Sequence, residues 1–188
     1  NITSKEKYLN DANILLDALT NDESPYYEPN NCRYMFYLGQ SYYDAGEMEL
    51  SKKWYLKRAE EGGWEEEVFY SLYRVGLCKL LLDYPWLEIL DAFMKAWSYR
   101  PSRVEPLYQI SRLYRLNGDP KLAYLFANQG METKYPESDA LFISKELWDW
   151  QMLDEVAATA SYVDQPERGL AASNELIEMI LQDSSSIP

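Results

Sequence analysis

Residues able to carry acid–base, nucleophilic or metal chemistry are scarce in this sequence. There is no histidine, which removes the commonest general base and metal ligand, and with it Ser-His, Cys-His and most zinc arrangements. Cys32 and Cys78 stand far apart and make no C-x-x-C pair. They fall on helices at ends separated by roughly 18 Å, too far for a disulfide, so two reduced thiols and a cytoplasmic setting are expected. Carboxylates are plentiful but unorganised. Glu65-Glu66-Glu67 reads as a solvated helix start that the helix dipole favours, and Asp149 and Asp154 flank Trp150 without a facing partner. No phosphate-binding glycine loop or nucleophile elbow is present. The expectation is therefore a non-enzymatic chain with no catalytic residue, no metal site and no cofactor.

The side chains left to explain are aromatic and cationic. The chain carries 17 Tyr, 6 Trp and 5 Phe in 188 residues, at a formal net charge of −13. Such a surface repels phosphate backbones and anionic headgroups, so neither nucleic acid nor a membrane surface is an expected partner. Nothing approaches the ~18 apolar residues of a membrane span, and the polar start from Asn1 to Lys7 lacks a signal-peptide core. Asn1-Ile2-Thr3 fits a glycosylation sequon. The first residue is Asn and the tail from Gln182 to Pro188 is polar, from which we expect a segment of a larger protein.

Those side chains must be positioned by helices. Apolar residues recur at three- and four-residue steps almost throughout, predicting helices over 4–20, 32–45, 47–61, 65–82, 86–99, 104–117, 120–134, 138–161 and 166–182, with no strands. The punctuation agrees. Gly118 suits a left-handed C-cap, Asp119 an N-cap and Pro120 a first helical turn. Asp44-Ala45-Gly46-Glu47, Asp83-Tyr84-Pro85 and Asp164-Gln165-Pro166 make similar breaks, and Ser102-Arg103-Val104-Glu105 has capping-box spacing.

The segments beginning at Arg33, Glu67 and Glu105 align with one another, placing Leu38, Leu72 and Ile110 at one position. The first has Leu38-Gly39, Tyr42, Gly46, Ser51 and Tyr55; the second keeps Leu72, Phe93, Ala96 and Pro101 but loses the turn glycine; the third has Ile110, Tyr114, Gly118, Ala123 and Pro136. These units resemble the tetratricopeptide (TPR) repeat, a helix–turn–helix in which small residues let helices approach and Tyr and Leu fill the gaps. The resemblance implies an all-α fold, a right-handed α-α superhelix or TPR-like solenoid. We expect an N-terminal partial repeat or cap helix over 1–31, three helix pairs over 32–136, a divergent C-terminal pair over 137–182 and a disordered tail over 183–188.

In TPR arrays the first helix of each pair lines a concave groove. Carried over position by position, the resemblance puts Phe36, Tyr70 and Tyr108 in one row, Gln40, Arg74 and Arg112 in a second, and Tyr43 and Arg115 in a third. Aromatics beside arginines suit an extended peptide, an acidic segment or a glycan chain. The competing reading is that the aromatics fill space between helices while the arginines pair with Glu67 and Glu105. The TPR subset that clamps a C-terminal carboxylate uses Lys and Asn where this chain has Phe36, Gln40, Ser71, Glu105 and Gln109, so co-chaperone function is disfavoured.

A narrower resemblance rests on Gln40-Ser41-Tyr42-Tyr43-Asp44-Ala45-Gly46 and the joint Glu61-Gly62-Gly63-Trp64-Glu65-Glu66-Glu67. Both are similar to the helical repeat region that accompanies the catalytic domain of some family 2 glycosyltransferases. Their Asp-x-Asp catalytic motif is missing here, so that resemblance implies an accessory role: a surface for a protein or peptide partner, for a glycan acceptor, or for a second copy in a homo-oligomer. The alternative is a free-standing adaptor that binds a peptide or acidic segment.

Overall fold

The computed structural model describes residues 3–185, and these are helical with no strand. The helices are α1 (Ser4–Thr20), α2 (Cys32–Asp44), α3 (Met48–Glu60), α4 (Glu65–Leu81), α5 (Trp86–Tyr99), α6 (Glu105–Leu116), α7 (Pro120–Met131), α8 (Met152–Thr159) and α9 (Pro166–Ser185). A π-helical turn over Leu147–Gln151 leads into α8, and a 3₁₀ turn over Ala160–Val163 leaves it. Asn1 and Ile2 of the sequon and residues 186–188 of the expected tail lie outside the described residues. The chain divides inside α5 into two compact units, Asn1–Ala96 and Trp97–Pro188.

In the first unit, helices adjacent in sequence pack as hairpins around Ala12, Leu19, Met35, Leu38, Tyr42 and Trp54. Asn31 caps α2 by accepting from the Tyr34 N–H at 3.0 Å. The α2–α3 turn takes a left-handed residue at Gly46, as expected. The α4–α5 turn lacks that glycine and places Asp83 there instead, at φ 53°, a conformation Asp tolerates better than most residues. Ser51, where the repeat prefers Ala, donates to the Gly39 carbonyl at 2.8 Å and ties α3 to α2.

The sequence alignment hides one close approach. In the middle repeat, Tyr73 occupies the small-residue position held by Gly39 and Ser111. The contact moves to Gly76, where a Cβ would lie 2.6 Å from two Phe93 ring atoms. Phe93 is fully buried and its ring centroid is 5.9 Å from that of Tyr73.

In the second unit, Asp119 caps α7 and Pro120 begins it, as the sequence predicts. Ser111 donates to the Ala123 carbonyl at 2.9 Å, repeating the Ser51–Gly39 link with the two residue types exchanged. Two expectations fail here. The spacing from Ser102 to Glu105 makes no capping box: Val104 is the cap residue, and Glu105 turns to accept from Arg103 Nε at 2.8 Å. The helix expected over 138–161 does not form before Leu147.

Two arginines, one of them fully buried, explain that failure. Arg100 grips Asp139 with two hydrogen bonds of 2.6 and 2.8 Å, and Arg103 donates to the carbonyls of Leu141 and Phe142 at 3.2 Å each. These contacts hold the segment in an irregular path, with Phe142 at φ 47°, outside the right-handed helical region. The Arg100 hydrogen bond also holds the Asp139 carboxyl below the usual carboxylate range, against the opposing effect of burial.

Two glycines separate close packing from mere proximity. At Gly76 an added methyl meets a buried ring, so Gly76→Ala is expected to destabilise by about 1–3 kcal/mol. At Gly130 it meets the end of the buried Met152 more closely still, but this is an unbranched chain that repacks more cheaply than a ring, and the helix gains up to ~1 kcal/mol of propensity in return. Urea unfolding of Gly130→Ala should therefore stay close to the parent, with only Gly76→Ala clearly weakened.

Candidate functional site

Arg74 projects from the middle of α4 beneath the C-terminal half of α2. Its guanidinium carbon lies 4.2 Å from the centroid of the Tyr43 ring and 4.9 Å from that of Tyr70. Nη2 donates a long hydrogen bond of 3.3 Å to Gln40 Oε1, which also accepts from Tyr55 Oη at 2.9 Å. The Gln40 amide nitrogen donates to both Asp44 carboxylate oxygens at 2.9 Å. Below them, Phe36 packs against Tyr55 and Tyr70 with ring centroids 5.9 and 5.8 Å away.

The electrostatics of this box are unusual for so acidic a chain. Arg33, Arg58, Arg100, Arg103 and Arg115 each form an ion pair. Among the described residues Arg74 forms none, and its buried Nε has no hydrogen-bond partner. It is held instead by the faces of two tyrosines. Burial pushes the Tyr43 and Tyr70 hydroxyls above the usual tyrosine range, and the Arg74 charge partly offsets this. Tyr55 is raised well above that range by its burial.

The expected site residues divide. Gln40, Tyr43, Tyr70 and Arg74 come together in the first unit, with Phe36 at 1% exposure serving as a packed floor beneath them. In the second unit, Arg115 is neutralised by Glu155, which accepts two hydrogen bonds of 2.8 Å from it. Tyr108 is half-buried beside the core of Val104, Leu107, Leu147 and Met152, and Arg112 is exposed with no ion pair among the described residues. The row of arginines does not pair with Glu67 and Glu105: Arg33 and Arg58 take Glu67, and Arg103 takes Glu105.

The acidic run at the start of α4 also differs from the sequence reading. Glu66 and Glu67 are buried, so it is no solvated terminus. Glu67 accepts from Arg58 Nε at 2.9 Å and pairs with Arg33. Asp149 lies 3.7 Å from Lys145. Among the described residues no cluster of three or more His, Cys, Asp or Glu is placed to hold a metal ion. Cys32 and Cys78 are free thiols, and burial raises Cys78 above the usual thiol range. Sequence reasoning missed Tyr55 and Asp44 as members of the Arg74 box. Position alone could have supplied Asp44, one turn beyond Gln40, whereas Tyr55 arrives from α3.

Neither a family model nor a curated protein matches the sequence. Among solved structures, the crystal structure of MamA, a TPR-containing protein, is similar with a TM-score of 0.66 at 14% identity, over 98% of this chain and 99% of that one. At that identity the likeness shows the fold, an all-α TPR-like solenoid. Among the described residues no helix is long and apolar enough to cross a membrane.

The Arg74 box has a spectroscopic signature. Because Tyr43 and Tyr70 are raised in the folded state, the unfolded chain loses those protons first, and folding stability should fall as pH climbs past about 10. Removing the cation in Arg74→Gln should delay their ionisation to still higher pH. Tyrosinate absorbance titrations, with Tyr43→Phe and Tyr70→Phe to assign the groups, test this; an earlier ionisation in Arg74→Gln would contradict it.

Proposed function

We propose that this chain is a non-catalytic binding and scaffolding module that holds an acidic segment of a protein partner against Arg74. The observation carrying this reading is the half-buried guanidinium with no carboxylate of its own among the described residues. Desolvating a cation without a counter-ion is costly, and an incoming carboxylate relieves that cost while matching the guanidinium fork. Tyr43 and Tyr70 fix the fork in advance, so little side-chain entropy is lost on binding. Gln40 orients it from α2.

The test is fluorescence anisotropy with labelled acidic decapeptides and with a Lys-substituted control. Arg74→Glu should abolish binding of the acidic peptides with the far-UV circular dichroism unchanged. Arg74→Lys should retain a weakened, more salt-sensitive interaction, because Lys lacks the planar fork. Unaltered binding by Arg74→Glu would remove the basis for this site.

A second reading places the module beside the catalytic domain of a cytoplasmic family 2 glycosyltransferase, where it would position a glycan acceptor, a partner or a second copy. Its support is the resemblance over Gln40–Gly46 and Glu61–Glu67. The joint in that stretch is tightly built: Gly62 and Gly63 have φ of 67° and 83°, and Arg58 donates to the Gly62 carbonyl at 2.7 Å. Exposed Trp64 lies with its ring 5.7 Å from the Arg33 guanidinium. Intact mass and peptide mapping of the native polypeptide decide between the two settings. An α/β domain bearing Asp-x-Asp ahead of Asn1 is the expected result for the accessory role, and a native start near Asn1 would leave the adaptor.

A further inference from the structure

A second surface, in the other unit and independent of Arg74, has the opposite character. Helix α9 buries Ala172 and packs Leu176 and Met179 against Tyr124, Leu153, Val156 and Ala160. At 100° per residue, its other side carries Leu170, Ile177 and Leu181 in one stripe. These side chains are 64, 54 and 63% exposed. Ile180, 65% exposed, joins the stripe to an open cleft of ≈ 670 Å³ lined also by Asp149, Trp150, Leu176 and Met179. A helix apolar on both sides is made to be covered on both.

The charges around this surface select what covers it. Glu167 and Glu178 flank the stripe, Asp149 borders the cleft, and Glu146 and Glu175 are exposed on the same two elements. Two cations lie nearby, Lys145 at 3.7 Å from Asp149 and Arg168 on the Tyr124 hydroxyl at 2.9 Å, and these five carboxylates outnumber them. A second copy of the chain would bring these carboxylates against their own kind, a like-charge opposition that disfavours self-association. We propose that the Leu170–Leu181 face of α9 and the adjoining Trp150 cleft dock a basic amphipathic helix of a protein partner. That helix would present apolar residues at three-, four- and seven-residue steps between flanking Lys or Arg.

The probe is a synthetic amphipathic helix with Leu at those steps and Lys on its flanks. Two controls accompany it: the same residues in scrambled order, and the same Leu pattern with Glu for Lys. Binding to the full chain is read by anisotropy and by the change in tryptophan fluorescence that Trp150→Phe removes. The expected result is salt-sensitive binding of the basic helix alone, weakened about tenfold or more by Ile177→Ser or Leu181→Ser. These positions are exposed, so the substitutions leave the fold intact. Equal binding of the scrambled peptide, equal binding of the acidic helix, or indifference to both serine variants would each overturn the proposal. So would a dimer in sedimentation that Ile177→Ser dissociates, since the face would then belong to a second copy.

Discussion

The first unit depends on one carboxylate, Glu67. It sits in the first turn of α4, where the helix dipole favours a negative charge. There it is gripped by Arg58 from the end of α3 and by Arg33 from the start of α2. Three helices from two successive hairpins thus converge on a single buried charge. Removing Glu67 would leave the fully buried Arg58 without a carboxylate, a loss of about 3–5 kcal/mol. The grip also sets direction. Arg74 lies seven residues along α4 from Glu67, close to two full turns, so the ion pair that fixes the start of α4 fixes the height and azimuth at which Arg74 meets Gln40 and Tyr43.

The second unit uses the same device differently. Arg103 is fully buried and Glu105 occupies the position that Glu67 holds in its own repeat. Arg103, however, also reaches Asp139 and two backbone carbonyls beyond it. A guanidinium with five donors can serve a carboxylate and a loop together, and here it converts the expected continuous helix into an ordered irregular segment. Local helical periodicity over 138–146 loses to the charge-assisted contacts that Arg100 and Arg103 make with Asp139 and with the carbonyls of Leu141 and Phe142.

This contrast explains what could be read from the sequence. Helices α1 to α7, the left-handed turns at Gly46 and Gly118, and the Asp119-Pro120 start all follow from short-range rules. The meeting of Gln40 with Arg74 follows from the 34-residue repeat, since equivalent positions on neighbouring units face one another. Arg58, Arg103 and the Arg115–Glu155 pair were not legible, because each joins residues whose separation matches no period of the sequence. The move of the close contact from the Gly39 position to Gly76 was hidden for a related reason. A repeat pattern records which residue types recur, and Phe93 can claim its space from any small residue within reach.

The two proposed surfaces bear on each other through charge. An acidic segment that suits Arg74 is repelled by the carboxylates around α9, and a basic amphipathic helix that suits α9 gains nothing from an arginine box. On these two proposals each partner would be excluded from the other's site by the same electrostatics that admit it to its own, and specificity would come from repulsion as well as attraction. A net charge of −13 strengthens one half of this sorting and taxes the other. It draws basic segments toward the chain generally, so at α9 the apolar stripe must supply the discrimination. It repels acidic segments, so the Arg74 box must offer a desolvated, preorganised fork to overcome the field around it. The half-buried placement of Arg74 against two tyrosine faces, where solvent screens it less than on the open surface, suits that requirement.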